Sequence, residues 1–344
     1  MLNRKAVLAH AELYWFRPCQ DGNVWLNDGP ITINEHLFKK FNLNSVDWEC
    51  VFLQENSWTD HLFAVRKNRA WALSTFQYDA TLIAVMYPTD YKKIQDWRGL
   101  NDCAHFVSEC LSKGGFTNGS LDVGTLVNHL IGSGSVKLLT DLVTLDDARA
   151  VAGTGIVKEA DIIAYGASGT RFSVHAHSVI VQEIDTTVIG YAKVAVVNHT
   201  RLNHKDFNGS GGGHDNWTEY TTGTGHPLVS ILHFSHDDPL PMKSRHLHGW
   251  WEINWRTTQY YYFFLSDGSA IWSRQKPASA KALPHSVPLG GRGHWFNQLG
   301  MLTSIWQSTG SVEQFTVIQN PTKGRYEIDG RHRGIEPISG VQLL

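Results

Sequence analysis

The stretch Asn101-Asp102-Cys103-Ala104-His105-Phe106-Val107-Ser108-Glu109-Cys110-Leu111 places a cysteine where a thiol can become a nucleophile. A helix is expected over Asp102 to Gly115. Asp102 suits the N-cap because its carboxylate can accept first-turn amide hydrogens, and Gly114-Gly115 supply a left-handed stop after Lys113. Cys103 then lies in the first turn, where the helix dipole and unpaired amides favour thiolate over thiol. Cys103, Phe106, Val107 and Cys110 recur at i, i+3, i+4 and i+7. The cysteine therefore heads the buried face of the helix, and Cys110 reads as core.

A nucleophilic cysteine needs a base, and the base needs a group to orient it. His177 opens the apolar strand Ser178-Val179-Ile180-Val181, a rigid mount for an imidazole. His175, two residues earlier, shares its face and competes for the role. Asn198 and His199 end the next strand, Val194 to His199, and either can orient the base. The plainer reading makes Cys103 a structural cysteine and His177 an ordinary strand-end histidine. A metal reading attaches to His233-x-x-His236 and His246-x-His248, with Asp237 and Asp238 nearby. Nothing in the sequence fixes a third and fourth ligand there, and surface histidines are the simpler account, so neither a metal nor a cofactor is expected. No G-x-S-x-G, H-E-x-x-H, G-x-x-x-x-G-K-[ST] or G-x-G-x-x-G signature occurs.

The elements that must position these residues fall into two textures. Arg4 to Phe16 carries apolar residues at helical spacing. Residues 45–90 hold aromatic, strand-like pieces ending in the turn Tyr87-Pro88-Thr89-Asp90, and helical stretches are expected over Leu121 to Leu130 and Asp141 to Ala152. Three strands follow, at Asp161 to Tyr165, His177 to Val181 and Val194 to His199. Asn208 to Gly213 is a loop, and Asp237-Asp238-Pro239-Leu240-Pro241 marks a boundary. Beyond it, short strands separated by turns predict a small barrel or sandwich. Trp250, Trp251, Trp255, Trp272, Trp295 and Trp306 are either its packing or the lining of a carbohydrate or peptide groove.

The chain has 344 residues, of which 42% are hydrophobic and 18% charged, so it can bury a core. Thirty Lys+Arg against 32 Asp+Glu leave a formal charge of −2, which offers no surplus for neutralising phosphates and argues against nucleic acid. Four cysteines are too few for a disulfide scaffold in a chain of this length. Thirteen Trp and 31 Gly suit β-structure with tight turns. No apolar run is long enough to span a membrane, and the first residues do not read as a secretory signal.

Asp102-Cys103-Ala104-His105-Phe106-Val107-Ser108-Glu109-Cys110-Leu111 resembles the D-C-T-N-F-V-S-Q-x-L signature of the amidase domain family, itself similar to NlpC/P60 and papain-like cysteine peptidases. Ala160-Asp161-Ile162-Ile163-Ala164-Tyr165 resembles the G-D-[ILV]-[ILV]-x-[FY] strand of NlpC/P60 enzymes. His177 to Val181 is similar to their H-[SV]-[AG]-I-V strand, and Asn198-His199-Thr200 to a terminal H-T element. The departures are Ala104 and His105 in place of Thr and Asn, Ala160 in place of Gly, and a lead-in over 17–95 longer than usual. The resemblance covers residues 95–205.

It implies an α+β fold with a papain-like catalytic domain over 1–240, in which the cysteine-bearing helix packs on an antiparallel sheet. An all-β binding module would follow over 245–344. It implies that Cys103 attacks an amide carbonyl, His177 acts as the base, and His199, with Asn198 as the alternative, orients it. The Cys103 amide, with a donor from Asn101, Asp102 or a neighbour, would stabilise the oxyanion. The implied reaction is amide hydrolysis through a thioester, with bacterial peptidoglycan peptides the favoured substrate. Without a signal, the protein is expected to be cytoplasmic in its producer, or exported by a specialised secretion system as a toxin or effector. The alternatives are a protein-directed protease or deamidase, and a non-catalytic binding protein on a hydrolase-like fold. The β-module would bind a carbohydrate or protein ligand.

Overall fold

The structure is a computed structural model. It describes residues 2–344 except 27–28, 33–37, 57–58, 68–88, 97–101, 117–121, 168–174, 189–190, 200–203, 206–214, 222–224, 236–244 and 299–300. The chain packs as two compact units, each built from separated segments. The first comprises Met1–Ser135, Lys158–Asp185 and Lys193–Pro227, and the second Val136–Val157, Thr186–Ala192 and Leu228–Leu344. The elements are mixed helix and strand, with a closed eight-stranded barrel at the C-terminal end.

In the first unit, α1 (Arg4–Tyr14) is capped by Asn3, whose side chain accepts from the Ala6 amide at 3.1 Å. The helix stops at Tyr14, two residues before the expected Phe16. A hairpin of β1 (Asn23–Leu26) and β2 (Gly29–Thr32) follows. Next comes an antiparallel sheet of β3 (Trp48–Asn56), β4 (Thr59–Arg66) and β5 (Tyr91–Asp96). Helix α2 (Cys103–Lys113) packs against α1. A Cβ on Gly114 would meet Val7 Cγ2 at 2.5 Å and Leu2 Cδ1 at 2.8 Å, so only glycine allows that approach. Helix α3 (Val123–Gly132) is capped by Asp122 through the Thr125 amide at 2.8 Å.

The next two elements, β6 (Val136–Thr144) and α4 (Leu145–Ala152), belong to the second unit. They correct the helix expected over Asp141 to Ala152. Residues 136–144 are extended because their backbone pairs with another strand, and the helix begins only after Thr144, whose hydroxyl caps the Asp147 amide.

The first unit resumes with β7 (Ile162–Gly166) and with β8 (His175–Val188) and β9 (Tyr191–Val197) apart from their ends at 186–192, ordered β7-β8-β9. Tyr165 lies opposite His177 in the β7–β8 register. Beyond β9, the Asn216 side chain accepts from the Val196 amide at 2.7 Å and donates to the Val196 carbonyl at 3.1 Å, which fixes the end of β9. Buried Asp161, just before β7, is paired with Arg4 at 2.8 Å.

In the second unit, β10 (Leu228–Phe234) pairs antiparallel with β6. The barrel then runs through β11 (Gly249–Trp255), β12 (Thr258–Phe264), β13 (Ser269–Ser273), β14 (Gly291–Gln298), β15 (Met301–Trp306), β16 (Ser311–Asn320), β17 (Arg325–His332) and β18 (Glu336–Gln342). Each strand pairs with the next, and β18 closes on β11 between Trp251↔Gln342 and Trp255↔Ile338. Closure selects the barrel over the sandwich, because a sandwich leaves sheet edges and the closed ring β11–β18 leaves none. Alternation turns Trp251 and Ile253 inward onto Phe264, Trp295, Leu302, Phe315 and Ile338. Trp250 faces outward onto Tyr261 and Val287. The flank of the barrel is tied to β6, where His294 Nε2 and Gln307 Nε2 lie 3.0 Å and 2.8 Å from the Leu138 carbonyl.

Among the described residues, no helix is long and apolar enough to cross a membrane.

Candidate functional site

Cys103 is the first residue of α2 and is 1% exposed. Helix α2 is buried on nearly every side, not along one stripe, since Ala104, His105 and Ser108 are buried with Cys103, Phe106 and Val107. The thiol rests against Ser178 of β8, the residue after His177. Burial pushes it up to about 11, and hydrogen bonds from the backbones of Ser178 and Ala104 only partly offset that. The resting group is therefore a neutral thiol, in contrast to the thiolate expected from its helix-terminal position.

His177 is buried beside Tyr165, whose ring stacks on it at a centroid distance of 5.8 Å, and the Tyr165 hydroxyl donates to the Trp217 carbonyl. The His177 Nε2 atom lies 3.1 Å from the Asn198 side-chain nitrogen, and Asn198 Oδ1 is buried without a hydrogen-bond partner. Rotating that amide by half a turn would exchange the two atoms and present the carbonyl oxygen to a protonated Nε2. Asn198 is thus the group placed at His177. His199, the other candidate, points elsewhere. His175 is also buried on β8, and Gly166 lies opposite it in the register. Asn101 lies outside the described residues.

Asp102 precedes Cys103 and occupies the N-cap position, but its carboxylate does not cap the helix. It is fully buried and serves as a hub. Oδ1 accepts from the Trp25 amide at 2.8 Å and faces His105 Nδ1 at 3.0 Å, while Oδ2 meets His199 Nδ1 in a short contact. Burial alone would raise its pKa. The hydrogen bonds from His105 and His199 outweigh that and hold the carboxyl below its usual range. The outer nitrogens have partners as well. His105 Nε2 lies 3.0 Å from Asp21 Oδ2, and His199 Nε2 lies 2.6 Å from the Tyr14 carbonyl. Burial works to lower His105, but Asp102 and then Asp21 lift it to about 9. The Cys19 thiol completes the group, with Sγ 4.0 Å from His199 Nδ1. Burial and then the Asp102 charge push this thiol well above its ordinary value.

The second unit carries a separate site, a cavity of about 410 Å³ at one end of the barrel. Trp255, Tyr260, Tyr262, Trp272 and Trp306 wall it, so these tryptophans are lining, whereas Trp251 and Trp295 are core. A Cβ on Gly291 would fall 2.4 Å from Trp272 Nε1, so glycine lets that indole lie against the β14 backbone. Glu313 is buried at the cavity wall and accepts from the Tyr262 hydroxyl at 3.0 Å, the Ser304 hydroxyl at 2.9 Å and His332 Nδ1 at 2.9 Å. At the rim, Glu336 accepts from Trp255 Nε1 and pairs with Arg256.

His236, Asp237, Asp238 and the boundary at 237–241 lie outside the described residues. Of the other boundary histidines, His233 is buried in β10, His246 packs on Tyr326 and His248 on Trp295. Cys19 and Asp21 belong to no local motif, and His105 shows in the sequence only as a departure from one. The available signal was the Asp102/His105 spacing of i, i+3, which puts both on one helix face.

Comparison with family models, with curated proteins and with solved structures finds no match to this chain.

Proposed function

We propose that the first unit is a cysteine hydrolase acting on amide bonds, with Cys103 as nucleophile, His177 as base and Asn198 as the orienting group. The observation that carries this reading is the line Cys103–Ser178/His177–Asn198. It is supported by two contacts, that of the first-turn thiol with Ser178, the residue after His177 on β8, and that of the Asn198 side chain with His177 Nε2 at 3.1 Å. In this reading Asn198 holds Nε2 and Nδ1 is assigned as the nitrogen that receives the thiol proton. Because burial keeps the thiol neutral, transfer accompanies attack. Sγ leaves Ser178, gives its proton to Nδ1 and bonds to the carbonyl carbon. Collapse of the tetrahedral intermediate returns that proton to the departing amine and leaves a thioester. Water, deprotonated by the same imidazole, then releases the acid. For Nδ1 to act as the base, the neutral ring must carry its hydrogen on Nε2, so the Asn198 amide, turned by half a turn, accepts from Nε2–H in both states of His177.

Peptide stems of bacterial peptidoglycan are the favoured substrate on the sequence resemblance, and deamidation or proteolysis of a protein target uses the same residues. The barrel cavity supports an accompanying role in ligand binding. Its indole walls and polar rim suit a carbohydrate ring, which stacks on aromatic faces while its hydroxyls meet charged side chains.

The test is release of new amino groups from purified peptidoglycan and from a peptide library, read by mass spectrometry. Cys103→Ala should abolish release, and His177→Ala should reduce it by at least about 100-fold. Asn198→Ala should act less severely, by about 10- to 100-fold. Equal activity in wild type and Cys103→Ala would end the hydrolase reading.

A further inference from the structure

We infer that Cys19, Asp102, His105 and His199 form a binding site for one divalent transition-metal ion of the zinc class. The residue types are those that zinc selects: one sulfur, two imidazole nitrogens and a carboxylate oxygen. Three of them, Cys19, Asp102 and His105, place one ligand atom each within 4.8 Å of one another, and all three are buried. His199 Nδ1 joins them, in contact with Asp102 Oδ2 and 4.0 Å from Cys19 Sγ. Zinc bonds of about 2.0–2.3 Å imply tetrahedral ligand atoms about 3.3–3.6 Å apart, so the Cys19, Asp102 and His105 atoms need to close by at most about 1.5 Å, while His199 Nδ1 must draw back from Asp102 Oδ2 to share the ion.

The outer hydrogen bonds are a second and independent observation. A histidine that binds metal through one nitrogen nearly always donates its other N–H to a carboxylate or a backbone carbonyl. His105 does so to Asp21 at 3.0 Å, and His199 to the Tyr14 carbonyl at 2.6 Å. That leaves Nδ1 of each ring facing an acceptor as its inner partner. Both nitrogens of both rings therefore face groups that only accept, and something positive must stand between each Nδ1 and the Asp102 carboxylate. Two separate protons would satisfy this arrangement. A single metal ion satisfies it with one group, and also draws in the buried Cys19 sulfur that lies against His199 Nδ1.

An access route exists as well. A cavity of about 570 Å³ in the same unit is lined by Tyr14, Cys19, Gly22 and Cys50 among others, so Cys19 forms part of its wall. The ion would tie the segment at 19–21, the start of α2 and the residue after Asn198 into one cluster. This inference does not depend on the hydrolase reading. Cys103 is not a ligand, and the ion is assigned no step in amide cleavage.

The full chain, dialysed against metal-free buffer, should carry about one zinc per molecule by elemental analysis. It should also take up one equivalent of cobalt(II) with a thiolate charge-transfer band. Cys19→Ser should abolish that band, and His105→Asn should lower zinc affinity by at least 100-fold. If either variant fails to fold, Asp21→Asn, which keeps every ligand, should still weaken zinc binding by about 10- to 100-fold. Cys103→Ala should bind zinc as wild type does, whatever happens to activity. A chain that holds no zinc and gives no cobalt band on titration would overturn the site, as would full zinc occupancy in Cys19→Ser.

Discussion

Among the described residues, each unit buries one carboxylate against histidine, and the two are managed in opposite ways. Asp102 has two imidazoles and a backbone amide, no hydroxyl partner and a thiol nearby. Glu313 has one imidazole and two hydroxyls, and it stands at the wall of a ligand-sized cavity. Hydroxyls can turn and either donate or accept, so the Glu313 arrangement tolerates a change of charge. Imidazoles whose far nitrogens are already committed cannot, so the Asp102 arrangement holds only with its charge in place. The same pair of residue types thus yields a rigid cation-gathering hub in one unit and an adaptable pocket wall in the other.

That contrast breaks most sharply at Asp102. With a chelator present to remove any metal contribution, Asp102→Asn should cost about 3–5 kcal/mol in urea unfolding, because it strands two buried imidazoles. A loss under about 1 kcal/mol would mean that the hub is not charged.

Acid should act on the barrel unit next. Burial, reinforced by Lys137 and His233, lowers His294 to about 4 despite its backbone contact with Leu138 and the charge of Asp267. Its unfolded form titrates near 6.5. The unfolded chain therefore binds a proton first as pH falls, so the stability this residue contributes is complete above about 6.5 and disappears as pH drops toward 4. The effect is up to about 3 kcal/mol, and it should vanish in His294→Gln when unfolding is followed by tryptophan fluorescence at pH 7 and pH 4.5.

Glu313→Gln should be the mildest, at about 1–2 kcal/mol, because Tyr262 and Ser304 can reverse their hydrogen bonds around an amide. A cost as large as that of Asp102→Asn would erase the distinction between the two sites.

Much of this was legible in local pattern. The apolar spacing of 103–111 marks α2, the alternation in Gly249–Trp255 and its successors marks barrel strands, and Cys103 and His177 stand out by residue type, whereas the sequence favours His199 over Asn198 as the partner of His177 and the contact falls to Asn198. What escaped the sequence reading depends on distance along the chain. Asp102 looks like a helix cap because local preference for Asp there is strong. In the fold, the Trp25 amide, 77 residues away, and His199, 97 away, claim the carboxylate first. Cys19 looks isolated because its neighbour His199 lies 180 positions later. The sequence suggests helix from 141 onward because nothing local announces β10 as the partner of 136–144.

The neighbour-to-neighbour order of the barrel also bears on the time course of folding. Every pairing from β11 to β18 joins consecutive strands, and only the closing pair must bring together residues as far apart as Trp251 and Gln342. Short loops cost little entropy to close, so hairpins such as Trp250↔Phe263 and Phe296↔Thr303 can form before the rest of the chain is organised. The Asp102 hub must wait until segments from both ends of the first unit have met. A refolding chain should therefore regain its barrel tryptophan signal before the ring contacts of His199 with Phe52 and Phe106, so that the hub residues are among the last to be enclosed.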